Sequence, residues 1–368
     1  MTLEEELKEK YALNTYQLNE IHLGVEAGVD VSIYAKPEFD EDQMEEIRLG
    51  LEENLDVSIY AKPEFDSLQM REVRKGLKAG VNVFMYADPK FNWYQMNCIR
   101  LGLEDGLDAE IYAKSEFDCK QMEEIYYGLK EGLEASVFAK PEFSYAQMEE
   151  IKLGLKENLN VAVYTKPEFD EYQMKEIRLG LEEGLEVLMY AKSEFNRYQM
   201  EEIRLGLKEG LDVSLYAKPE FDKNQMREIY YGLKENLDIS IYAKPEFNVE
   251  QMEEIRGGLE SGLDVAVYAK PEFDEHQMKE ISLGLVTGVD VNEYTDHNLS
   301  YKKMEEIRLE LEKSTPKYKD IGEPTCEQIK WCRHNALSIL IKLPDNELWK
   351  CMKDAYNKAH KDLNDEEL

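Results

Sequence analysis

Residues 40–65 read DEDQMEEIRLGLEENLDVSIYAKPEF, from Asp40 to Phe65, and this stretch decides the fold. Asp40 is a good helix N-cap, and Gln43, three residues on, completes a capping box. Phe39 and Met44 stand at the two positions of a hydrophobic staple. Met44, Ile47 and Leu51 fall at i, i+3 and i+7 and form one apolar helical stripe. Asn54 then occupies the place of a left-handed C′ residue, with apolar Leu55 behind it. Asp56 is a second N-cap, Val57, Tyr60 and Ala61 share a face, and Pro63 ends the run. The pattern predicts a long helix of about thirteen residues and a short one of about six, joined by tight turns.

The same pattern fills most of the chain. Gln43-Met44 recurs every 26 residues as far as Gln277-Met278, with Gln17-Leu18 before it and Lys303-Met304 after it. The cap position runs Asn14, Asp40, Asp66, Asn92, Asp118, Ser144, Asp170, Asn196, Asp222, Asn248, Asp274, Ser300, all capping side chains. The C′ position is always Gly or Asn, from Gly28 to Gly288. Units this small cannot bury their own apolar faces, so they must stack, and stacking tolerates no drift in length. The expected fold is therefore all-α, a right-handed-type α-solenoid over residues 14–312 with eleven full repeats and a partial twelfth. Gly50 and its equivalents lie in mid-helix, where Gly costs about 1 kcal/mol relative to Ala. We read them as places where another backbone passes close by. Residues 1–13 are expected to form an acidic capping helix. Residues 313–368, which leave the repeat, are expected to form a helical C-terminal cap or small domain, split at Leu343-Pro344.

Composition narrows the function. The 368 residues are 43% hydrophobic and 33% charged, so a packed core is available. The net charge is -33, and because residues 313–368 balance ten basic against ten acidic side chains, the deficit lies in residues 1–312. Such a field repels nucleic acid and anionic membrane and attracts basic partners. Cys98, Cys119, Cys326, Cys332 and Cys351 show no disulfide framework, which suits a reducing compartment. Met1 to Tyr11 do not read as a secretory signal, and no apolar run approaches the roughly 18 residues that span a bilayer. A cytoplasmic protein is expected.

No reactive constellation emerges. His22, His276, His297, His334 and His360 sit at unrelated repeat positions, and there is no phosphate-binding loop, zinc-protease motif or nucleophile elbow. Cys326, Cys332 and His334 are loosely spaced for zinc, and no carboxylate loop suits calcium. We expect no enzyme, no cofactor and no metal.

Recognition is sought instead at outward positions where one unit departs from the others. After the N-cap these are Trp93, Tyr94, Tyr145, Tyr172 and Tyr198; in the short helix, Phe84 and Leu188; after the central Ile, the pairs Tyr126-Tyr127 and Tyr230-Tyr231. Exposed aromatics are enriched among interface hot spots. The tyrosine pairs read equally well as fillers between stacked helices.

The strings YAKPEF at 60–65 and QMEEIRLGL at 43–51 resemble a 26-residue tandem repeat of uncharacterised proteins from gut Gram-positive bacteria and their phages or mobile elements. The resemblance spans roughly residues 14–312, implies no activity, and suggests a setting in which anti-defence proteins are common. Three functions follow as expectations. The first is a non-enzymatic scaffold binding a protein partner through an acidic, aromatic-studded surface. The second is an anti-defence inhibitor, of anti-CRISPR or antirestriction type, that fills the basic groove of a nucleic-acid-binding host protein. The third is a sponge for a small ligand or nucleotide. Close mimicry of DNA is not expected: twelve units would span on the order of 100 Å, over which duplex DNA carries roughly 60 charges.

Overall fold

The computed structural model describes residues 13–314. The capping helix expected over residues 1–13 and the segment expected over 313–368 lie outside them, apart from Leu13, Lys313 and Ser314. The described residues are helical and contain no strand, and they form the expected α-solenoid with a 26-residue period. The chain divides into two units, Met1–Gly184 and Leu185–Leu368. The first holds α1 (Thr15–Ala27), α2 (Glu41–Glu52), α3 (Ser67–Ala79), α4 (Trp93–Glu104), α5 (Cys119–Lys130), α6 (Tyr145–Lys156) and α7 (Glu171–Glu182). The second holds α8 (Arg197–Lys208), α9 (Lys223–Lys234), α10 (Val249–Glu260), α11 (Glu275–Thr287) and α12 (Tyr301–Ser314). Within each unit every helix packs against the one before and the one after it.

The helix starts follow the capping reading. Asp40 is extended at φ -75°, its carboxylate accepts from the Gln43 N–H, and Gln43 Oε1 accepts in return from the Asp40 N–H at 2.9 Å. The same reciprocal box closes all of α1 to α11. At α12 the glutamine is replaced by Lys303, which has no side-chain acceptor, so only the Ser300 hydroxyl contributes, at 3.3 Å from the Lys303 N–H. Asn54, Asn158 and Asn236 take positive φ where the other units have Gly.

The glutamine does more than cap. Gln43 Nε2 donates to the carbonyl of Phe65 at 2.6 Å, the residue just before the next N-cap. Gln17, Gln69, Gln95, Gln121 and Gln147 repeat the bond in the first unit, and Gln199, Gln225, Gln251 and Gln277 in the second. In these repeats one amide thereby ties the start of a helix to the start of the next, which explains why Gln rather than Glu holds this position.

The short helix is a correction. In each unit it shrinks to a three-residue 3-10 turn, such as Val57–Ile59, with Asp56 accepting from the Ser58 N–H at 3.1 Å. Pro63 bars helical backbone at Lys62, and Tyr60 leaves helical geometry at φ -124°. That departure turns the Tyr60 ring back onto its own long helix, where it is fully buried.

The glycine reading is corrected by the same ring. A Cβ on Gly50 would lie 1.9 Å from the Tyr60 hydroxyl oxygen and 2.9 Å from Val57 Cγ1. What passes is a side chain of the same repeat rather than a backbone. The Tyr60 hydroxyl donates to the carbonyl of Glu46 at 3.1 Å, so the buried phenol is satisfied. Phe138 is the one departure among these tyrosines, and its ring still fills the space above Gly128.

Candidate partner-binding surface

The seam between successive long helices is polar. Arg48 Nε donates to Glu20 at 2.9 Å across it, and Arg48 Nη1 donates to Glu52 on its own helix. Arg74 with Glu46, Arg100 with Glu72, Lys152 with Glu124 and Arg178 with Glu150 continue this ladder in the first unit. Arg256 with Glu228 and Arg308 with Glu280 do so in the second. These side chains are mostly buried, so the ladder consumes charge that the sequence shows as surface.

The tyrosine pairs resolve against this ladder. Tyr126 stands at the arginine position of α5 and is only 8% exposed. The carboxylate it would face is absent too, because α4 carries Cys98 there. The Tyr126 hydroxyl instead donates to Asp105 at 2.8 Å, beside Lys130 at 2.9 Å. Tyr126 is therefore a seam filler and leaves the outward set. Its neighbour Tyr127 points out, 46% exposed, with the Lys152 ammonium 5.9 Å from its ring centre. The second pair divides likewise: Tyr230 is half-buried beside Lys234, while Tyr231 is exposed against Arg256. Glu202, deprived of an arginine by Tyr230, takes Arg227 at 2.6 Å.

The residues after the N-caps gather along one edge of the first unit. Trp93 is 38% exposed and meets Tyr94 edge-on at 5.5 Å. Tyr94 is half-buried and its hydroxyl donates to Glu123 of α5 at 3.1 Å. Burial, then that carboxylate, pushes the Tyr94 phenol up to about 12. Lys120 lies 4.3 Å over the Tyr145 ring of α6, and Tyr172 of α7 is also exposed. Trp93 and Tyr94 of α4 thus reach α5 at Glu123, and Lys120 of α5 reaches Tyr145 of α6. Phe84 lies apart on its 3-10 turn and is the most exposed large apolar residue among the described residues, at 76%. In the second unit Leu188 is exposed, and Tyr198 is sandwiched by Arg197 at 4.4 Å and Lys223 at 4.7 Å.

Some exposed groups were missed. Tyr16, 71% exposed, shares the repeat position of Tyr94 and Tyr172, and its place in the first unit of the array hid the match. Leu23, Leu49, Leu101, Leu153 and Leu179 are half-buried on the outer faces of their helices. Leucine is the common residue at this repeat position, so no departure between repeats marks it.

Among the described residues no group of three or more His, Cys, Asp or Glu side chains is placed to hold a metal ion. No helix among them is long and apolar enough to cross a membrane. Burial pushes the Cys98 thiol up to about 12, away from nucleophilic character. No protein-family model matches the sequence, and no curated protein matches it either.

Proposed function

We propose that the protein is a non-catalytic scaffold that captures a protein partner through aromatic side chains displayed on a repeated helical frame. The observation that carries this reading is the exposure of Phe84, Trp93, Tyr127, Tyr145 and Tyr172 in one unit, at positions where sister repeats carry small, polar or aliphatic residues. The frame folds without them, since neighbouring repeats keep the same caps, tyrosines and ladder with Ser58, Glu41 or Leu49 in their places. Exposed aromatics on a rigid support lose little entropy on binding and supply large contact area. The net charge of -33 favours a partner of opposite sign.

The test is capture of a partner from the native host by immobilised full-length protein, repeated with the Phe84→Ala and Trp93→Ala variants. A reproducible, saturable partner whose recovery falls at least tenfold with the variants supports the reading. Recovery of nothing reproducible, or of a partner indifferent to both changes, overturns it.

A further inference from the structure

The outer faces of the long helices carry a row that the frame does not require. Nine residues past each N-cap the chain has Leu23, Leu49, Lys75, Leu101, Tyr127, Leu153 and Leu179 in the first unit. Two repeats show that this position is free. Lys75 is accommodated there and bonds to Glu72 at 2.8 Å. In the second unit Gly257 stands there, and a Cβ built on it meets nothing within 4 Å. A side chain so loosely constrained should drift toward polar residues on an acidic surface. It has stayed apolar in every first-unit repeat but one, which packing alone does not demand.

We infer that the unbroken stretch Leu101, Tyr127, Leu153, Leu179 is a docking track for a cationic amphipathic helix; this rests on the scaffold reading above and names the chemistry of its partner. Adjacent packed helices lie about 8–10 Å apart, and seven residues of an α-helix advance about 10.5 Å. A helix lying across α4 to α7 therefore brings one apolar residue of each heptad over one residue of the track. Four contacts fit a segment of about 20 residues, roughly 30 Å long. Tyr127 is the single aromatic on the track and supplies its anchor, the inner Lys152 already lying against its ring. Charge selects the sign of the flanks. Toward the helix starts the track is bordered by Glu123, Glu149 and Lys175. Toward the helix ends Lys130 and Lys156 are held by Asp105 and Glu131, both at 2.8 Å, and Glu157 remains exposed. The borders are net acidic, so lysine or arginine beside the apolar seam is attracted and glutamate repelled.

The experiment titrates full-length protein calorimetrically with three synthetic peptides of about 20 residues. One is a leucine–lysine helix with leucines at heptad spacing, one its scrambled isomer, one a leucine–glutamate counterpart. The patterned cationic peptide is expected to bind at least tenfold tighter than the scramble, with no detectable binding of the anionic one. Leu153→Lys, chosen because Lys75 already occupies this position, should weaken binding at least tenfold with an unchanged circular dichroism spectrum. Should that variant melt early, Leu101→Lys reads the same contact on another helix. Equal affinity for patterned and scrambled peptides, or full affinity in a folded track variant, overturns the track. Failure here with Trp93-dependent capture intact sinks the track alone; failure of both sinks the scaffold.

Discussion

Arg100 donates from Nε to Glu72 Oε2 at 2.9 Å across the seam between α3 and α4, both side chains all but buried. One repeat further on the same two positions hold Cys98 and Tyr126. Both members of the pair have changed together. A buried guanidinium facing Cys98 would be uncompensated, and so would a buried carboxylate facing Tyr126.

Breaking one member should therefore cost more than exchanging both. Arg100→Tyr alone is expected to destabilise by about 1–3 kcal/mol, because Glu72 stays buried with only Lys75 and Asn97 left to satisfy it. Glu72→Cys combined with Arg100→Tyr removes both buried charges, as Cys98 and Tyr126 do one repeat on, and should recover more than half of that loss, although Ala79 and Glu104 stand where Asp105 and Lys130 hold the Tyr126 hydroxyl. Urea denaturation of the two single variants and the double variant closes the cycle. Additive losses would mean that the two positions are not coupled.

Glu72 also sets a pH dependence. Burial alone would raise its carboxyl, but hydrogen bonds from Lys75, Asn97 and Arg100 outweigh that and hold it below the usual range. A lowered folded value adds stability above the unfolded value near pH 4.3 and loses it as pH falls through the folded value. Stability of the wild type should fall in that acid window, and the fall should be shallower in Glu72→Gln. An unchanged slope in the variant would remove Glu72 as its source.

The glycines divide by what stands over them. Gly154→Ala places a Cβ 1.9 Å from the Tyr164 hydroxyl oxygen and 2.8 Å from Val161 Cγ1, so about 1–3 kcal/mol of overpacking is expected. Gly257→Ala meets open space and should stabilise by about 0.8–1 kcal/mol through helix propensity. Chemical denaturation of the two variants checks the signs, and like signs would contradict the tyrosine-over-glycine arrangement.

These examples show what the sequence made readable. Caps, the repeat length and the left-handed Asn54 were legible because local backbone chemistry dictates them within a few residues. The partner of Gly50 was not, since Tyr60 reaches it only after Pro63 has cut the second helix down to a turn. Gln43 looked complete as a cap, and its second bond lies 22 residues on, beyond any local pattern. The tyrosine pairs could not be divided without knowing that their first position lies in the seam. Comparison between repeats found Phe84 and Trp93 because they differ, and passed over Leu101, Leu153 and Leu179 because they agree.

The second unit holds a seam where the ladder is incomplete, and it yields the last prediction. Glu254 has Ser282 opposite it, where α2 and α12 have Arg48 and Arg308. Burial pushes its carboxyl upward, and Lys279 and His276 only partly oppose this. A raised folded value means that protonation favours the folded state, so this group's penalty is greatest at neutral pH and lifts as pH falls toward the unfolded value near 4.3. Ser282→Arg should supply the missing donor, as Arg308 does for Glu280 at 2.9 Å. We expect about 1–2 kcal/mol of added stability at pH 7 from a charged hydrogen bond, shrinking toward pH 4 as Glu254 protonates. The Glu254 carboxyl, followed by carbon-detected NMR, should titrate lower in the variant than in the wild type. A gain in stability that persists unchanged at pH 4, or a Glu254 titration that does not move, would show that the new arginine has found a different partner.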